Sequence, residues 1–283
     1  MPDEMVTTYE HVYTPTDRRL GRHVRHDSRS LRHAVGVLPR SAIKAVSWTR
    51  RIPILDQGQI GDCVPNALTG ILGTDSEQRT GLAQVTVKAD PGGVFQGGPY
   101  PLNESFAVRL YSLITALDSY PGQYPPDDTG SDALGAMAAA QALGLAGEYQ
   151  HAFSYTAAQS AVQKGPLMWG TEWLESMFDT DRNGFLVVDR KSGVAGGHEL
   201  VLSGYDPDTD VWQADNSWGT SWGADGRASV TGVNLRWLLT QEGDITLPTW
   251  ITSPVTPPGP APFTDAEFWE YAQQWAAGKG FTS

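Results

Sequence analysis

Residues 56–63 read DQGQIGDC, and the nine residues after them, VPNALTGIL, fix how the stretch folds. From Val64 the apolar residues Val64, Ala67, Leu68, Ile71 and Leu72 recur at the i, i+3, i+4, i+7 and i+8 spacing of one helix face. The spacing predicts a helix that opens at Cys63 and stops at Gly73. Pro65 falls in the first turn, where backbone N–H groups have no intrahelical partner, so it is tolerated. Gly58 and Gly61 let the preceding loop turn back on the helix start. Cys63 is therefore expected at the positive end of a helix dipole, which favours thiolate over thiol, whereas burial alone would do the opposite.

A thiolate that attacks a carbonyl needs a proton carrier for the leaving group, and histidine is matched to neutral pH. Six histidines are present. His11, His23, His26 and His33 lie in a polar, basic segment and His151 in a turn, whereas His198 follows Gly196 and Gly197 and opens the strand-like run HELVLSGY. The acyl intermediate also needs donors for its oxyanion. Gln57, in the glycine-bearing loop ahead of Cys63, can fold its amide back toward the sulfur.

Three separated stretches stand in one order: DQGQIGDC ending at Cys63, GGHEL around His198, and NSWGTSWGADG beginning at Asn216. They resemble the glutamine–cysteine, glycine–histidine and asparagine–tryptophan blocks of the papain-like cysteine peptidases. Cys63 and His198 are 135 residues apart, inside the roughly 130–150 expected of that family. The resemblance covers residues 46–247. It implies that Cys63 is the nucleophile and His198 its base. Asn216 would orient the base under the shield of Trp218, and Gln57 with the Cys63 N–H would form the oxyanion hole. Gly130 and Ser131 resemble the strip that pairs with an extended substrate; Gly197 and Trp218 complete the expected substrate-binding set. Val64 and Pro65 replace the Trp and Ala that usually follow the nucleophile, and Ile60 replaces a cysteine. The chain looks more like disulfide-free bacterial or bacteriophage members than secreted ones, and no inhibitory propeptide is recognisable in residues 1–45.

The implied fold is α+β and two-lobed: a helical N-terminal half, an antiparallel-sheet C-terminal half, and the active site in the cleft between them. Helices are expected at about residues 104–117 and 132–143, and a short strand in LAQVTVK followed by a Gly/Pro-rich loop, PGGVFQGGPYP. Residues 1–45 read as a basic arm with at most one short helix, 46–247 as the peptidase domain, 248–263 as a Pro-rich linker and 264–283 as a helical tail with a capping box. The implied activity is cleavage of peptide bonds through a thioacyl-enzyme. Two alternatives use the same residues differently: a papain-fold binding or virion structural module with little turnover, and a thiol amidase or acyltransferase such as a cell-wall peptide amidase.

The 283 residues carry a net charge of -12, unevenly: residues 1–51 hold 10 Lys/Arg against 5 Asp/Glu, leaving 10 against 27 for the rest. Such a basic segment serves an anionic partner or neutralises its own acidic body, and the second is favoured. General nucleic-acid binding is not expected beyond that arm. The expected partner is a peptide or protein substrate; the aromatic tail docks either on the core, which is favoured, or on a partner protein. With one cysteine, no disulfide is possible within the chain; a reducing, cytoplasmic or virion-associated setting without a signal peptide or membrane span is expected. DTDRNG, residues 179–184, copies the start of a calcium loop, but Arg190 stands where the bidentate Glu belongs, so an ordinary turn, no metal and no cofactor are expected.

Overall fold

Every residue of helix α1 (Cys63–Leu72) is buried, so this helix is wrapped on all sides rather than along one stripe. The computed structural model describes residues 6–250. Leu68 and Ile71 have no exposed surface; truncating either to Ala costs about 2–5 kcal/mol. Helix α2 (Glu104–Leu117) lies where its apolar spacing predicts it, and α3 (Ala133–Ala142) where its Ala- and Leu-rich run before Gly144 predicts it. Asn103 caps the first by accepting the Phe106 N–H at 3.1 Å, and Asp132 caps the second by accepting that of Gly135 at 2.7 Å.

The arm is more structured than expected. Strands β1 (Thr8–His11) and β2 (Val24–Asp27) pair antiparallel, and two short 3-10 turns follow. After them come β3 (Val46–Ser47) and the pair β4 (Gln84–Ala89) and β5 (Gln96–Pro101). The expected loop PGGVFQGGPYP is thus half strand: its QGGPYP pairs back onto QVTVKA, because Val85 and Val87 alternate inward into the helical core.

The second half is a seven-stranded antiparallel sheet. Its members are β3, β6 (Ala146–His151), β7 (Leu167–Leu174), β8 (Val194–Asp206), β9 (Val211–Asp215), β10 (Arg227–Thr231) and β11 (Asp244–Trp250). The order is β10-β9-β8-β7-β11-β6, with β3 on the far end of β8. Two helices interrupt this half, α4 (Tyr155–Ala161) and α5 (Gly232–Leu239), which the expected order of helices first and strands second did not include. The last strand also runs past residue 247, where the linker was expected to begin; most of that linker and the whole tail lie outside the described residues.

Two hydrophobic cores result. One gathers α1, α2, α3 and the β4–β5 pair around Leu68, Phe95, Phe106 and Met137; the other gathers the sheet, α4 and α5 around Trp169, Trp173, Leu202 and Trp212. Strand alternation divides the sheet between them: Met168 and Val201 face the helical core, while Trp169, Leu200 and Leu202 face the other. Helix α1, which Cys63 opens, packs on β8, the strand that carries His198.

Candidate active site

His198 Nε2 lies 2.7 Å from Asn216 Oδ1. The same oxygen accepts the Ser217 backbone N–H at 2.8 Å, which fixes the amide orientation. An acceptor on Nε2 requires the proton there and leaves Nδ1 as the basic nitrogen. Nδ1 is buried and has no hydrogen-bond partner. Trp218 tilts over the imidazole with ring centroids 4.7 Å apart, and Trp173 meets it edge-on at 4.8 Å. Both rings exclude water from the His198–Asn216 bond, and burial lowers the imidazole pKa to about 4.

Cys63 begins α1 as the spacing predicts, yet its sulfur is fully buried. Burial pushes the thiol up to about 12, against the backbone N–H groups of Gly21 and Glu199 that favour the thiolate. The expectation that the helix start would dominate is therefore overturned in this arrangement: desolvation outweighs the dipole. Both members of the pair are neutral.

The burial comes from the arm. Residues 16–23 cross the site, turning at Asp17–Leu20 before running on: Thr16 N–H donates to Ala195 O at 2.7 Å, Arg22 N–H to Gly197 O at 3.1 Å, and His23 N–H to Ser131 O at 2.8 Å. Ser131 N–H returns a bond to Gly21 O at 2.7 Å. The expected substrate strip Gly130–Ser131 and Gly197 are thus engaged by the chain's own backbone. The Arg19 guanidinium stacks 4.5 Å from the Trp218 ring. Gln57 is held through both ends of its amide: Oε1 accepts from Ser217 Oγ at 2.7 Å, and Nε2 donates to Ile60 O at 2.7 Å and to Arg19 O at 2.9 Å. A carbonyl of the arm thus takes one of the two Gln57 amide protons.

The sequence reading passed over several residues here. Trp173 completes the aromatic cover, and Ser217 positions Gln57. Glu199, Asp244 and Gly170 surround the Arg22 side chain, which is entirely buried. Glu199 carried a signal, since it is the one acid in the apolar run HELVLSGY and departs from the Ala of the resembled block. Asp181, in the calcium-like loop, accepts the backbone N–H groups of Asn183 and Phe185 at 2.8 and 2.9 Å, the bonding of a turn.

The model of the papain family cysteine protease matches residues 123–235. Gamete and mating-type specific protein A of Dictyostelium discoideum is 26% identical over 198 residues, 67% of this chain; the chain spans 42% of that protein's length. Among solved structures, xylellain, a cysteine protease from Xylella fastidiosa, superposes with a TM-score of 0.51 at 16% identity, over 87% of this chain and all of that one. Digestive procathepsin L 3 of Tenebrio molitor is 18% identical with a TM-score of 0.46, over 83% of this chain and 76% of the other. No helix among the described residues is long and apolar enough to cross a membrane. The fold is thus papain-like, and the part of the chain from 123 to 235 is similar to the papain family cysteine proteases.

Proposed function

We propose that the chain is a cysteine peptidase that cleaves peptide bonds of peptide or protein substrates through a thioacyl-enzyme. The observation that carries this reading is the Asn216-bonded His198 with its Nδ1 free, on the strand that packs against the Cys63 helix. His198 Nδ1 takes the Cys63 proton as the sulfur attacks the carbonyl, and returns it to the leaving amine as the C–N bond breaks. The Gln57 amide and the Cys63 N–H stabilise the oxyanion, water then attacks the thioester with His198 as base, and the acid leaves. Asn216 holds the ring in its tautomer, and Trp218 keeps water from that bond.

Catalysis requires residues 16–23 to leave, because Gly21 packs against the sulfur and Arg19 O engages Gln57. Departure re-solvates both Cys63 and His198, which returns their pKa values toward neutrality and restores the nucleophile. A cytoplasmic or virion-associated setting accords with a lone cysteine committed to chemistry, and the aromatic tail supplies a docking element for a protein partner. Hydrolysis of a mixed peptide library by the wild type should vanish in Cys63→Ala with the melting temperature preserved. Equal hydrolysis by the two would refute the assignment.

A further inference from the structure

Three neighbouring strands set three residues in one row. Gly170 of β7 stands opposite Glu199 of β8 on one side and opposite Asp244 of β11 on the other. Directly paired residues on adjacent strands project to the same face, so two carboxylates flank a position that has no side chain. The gap is filled. A Cβ on Gly170 would come within 2.5 Å of Arg22 Nε, 2.8 Å of Glu199 Oε2 and 2.9 Å of Asp244 Oδ2. The guanidinium of Arg22 therefore lies in a notch that only glycine leaves open, bonded to Asp244 and donating to Glu242 O at 2.8 Å.

The cost of burying these charges makes the match specific. Arg22 has no exposed surface and Glu199 almost none, and both Glu199 oxygens lack a hydrogen-bond partner. Burial and the Asp244 charge both drive the Glu199 carboxyl well above its usual range, and Arg22 opposes them. An apolar side chain in the notch would leave the buried Glu199 and the part-buried Asp244 facing each other, whereas the guanidinium bonds Asp244 through Nη2 and sets its unpartnered Nε and Nη1 in the same notch as the Glu199 carboxyl. The backbone around Arg22 pairs with Ser131 and Gly197, and the preceding residue, Gly21, lies against the Cys63 sulfur.

We propose that the Glu199–Gly170–Asp244 row is a specificity pocket for an arginine side chain next to the scissile region of the substrate, and that Arg22 is its resident occupant when the arm is seated. This deepens the peptidase reading and rests on it for the word substrate; the guanidinium site itself does not. Arg22→Ala in the full chain empties the pocket, with Arg22→Gln as the substitute if the first variant does not fold. In that background, fluorogenic peptides with arginine scanned through the positions flanking the scissile bond are compared with the same peptides carrying citrulline, which keeps the shape and lacks the charge. At one position the arginine peptide should be hydrolysed at least tenfold faster by kcat/KM, and adding Asp244→Asn should remove most of that ratio. Equal rates at every position overturn the pocket while leaving the peptidase intact. Binding is read separately, with Cys63→Ala added and the labelled peptide TDRRLGRHVR compared with its counterpart carrying citrulline at the seventh residue, the place of Arg22. Tenfold tighter binding of the arginine form upholds the pocket even if no peptide is hydrolysed, in which case the peptidase reading alone fails. Equal affinity, or binding of neither peptide, overturns it.

Discussion

At the residue scale, the main conflict is between the chemistry Cys63 must do and the environment that holds it. The helix start favours thiolate, but with no exposed surface the thiol stays protonated. Asp62, next to it, shows the same physics. It caps α1 by position, makes no side-chain cap bond, and neither carboxyl oxygen has a partner. Burial first, and the Asp128 charge second, push its carboxyl up to about 8. A folded pKa above the unfolded one means that its contribution to stability is fully present below about pH 4 and is lost as pH rises toward 8. Asp62→Asn should therefore stabilise the fold by on the order of a few kcal/mol at pH 7 and by almost nothing at pH 3.5. Thermal melts across that range would check it; a gain independent of pH would contradict the buried-acid account. For Gln57, loss of an oxyanion donor acts on turnover rather than on binding, so Gln57→Ala should lower kcat by about a hundredfold with KM little changed. Alkylation of Cys63, which needs no oxyanion, should be no slower, since the variant also loses the bond to Arg19 O. If alkylation slowed together with turnover, Gln57 would be structural.

Among the elements, the arm matters most for activity. Gly21 approaches Gly61 so closely that a Cβ on it would lie 1.9 Å from the Gly61 carbonyl oxygen. Gly21→Ala should unseat the arm locally and raise the rate of Cys63 alkylation at least tenfold, leaving the two hydrophobic cores untouched. An unchanged rate would show that the sulfur is reached without moving the arm. The arm is also where sequence reading stopped. Helices α1 and α2 are legible because each carries its own apolar period, and α3 because an Ala- and Leu-rich run ends at Gly144. The seven and eight residues of α4 and α5 are too short for a period to stand out, and they are helical because they cover the sheet. Residues 16–23 have no period at all, since apart from one local turn bond, Leu20 N–H to Asp17 O, their backbone bonds go to Ala195, Gly197 and Ser131, more than a hundred residues away.

Over the whole molecule, the charge asymmetry of the sequence becomes an internal contact. Arg22, Arg25, Arg50 and Arg51 of the basic first 51 residues meet Asp244, Asp132, Asp215 and Asp75 of the acidic remainder. The three blocks carrying Gln57, Cys63, His198 and Asn216 were readable because their chemistry is local to short motifs. The row of Glu199, Gly170 and Asp244 was not, because only sheet register brings residues from three strands together. Central to the account is that Cys63 is a nucleophile whose access the arm controls. Its most direct test is incubation of the full chain with a thiol-directed peptidyl epoxide, followed by intact mass. The account predicts one adduct on the wild type, mapped to Cys63, formed faster on Gly21→Ala and absent from Cys63→Ala. The same adduct on Cys63→Ala, or none on either the wild type or Gly21→Ala, would contradict it.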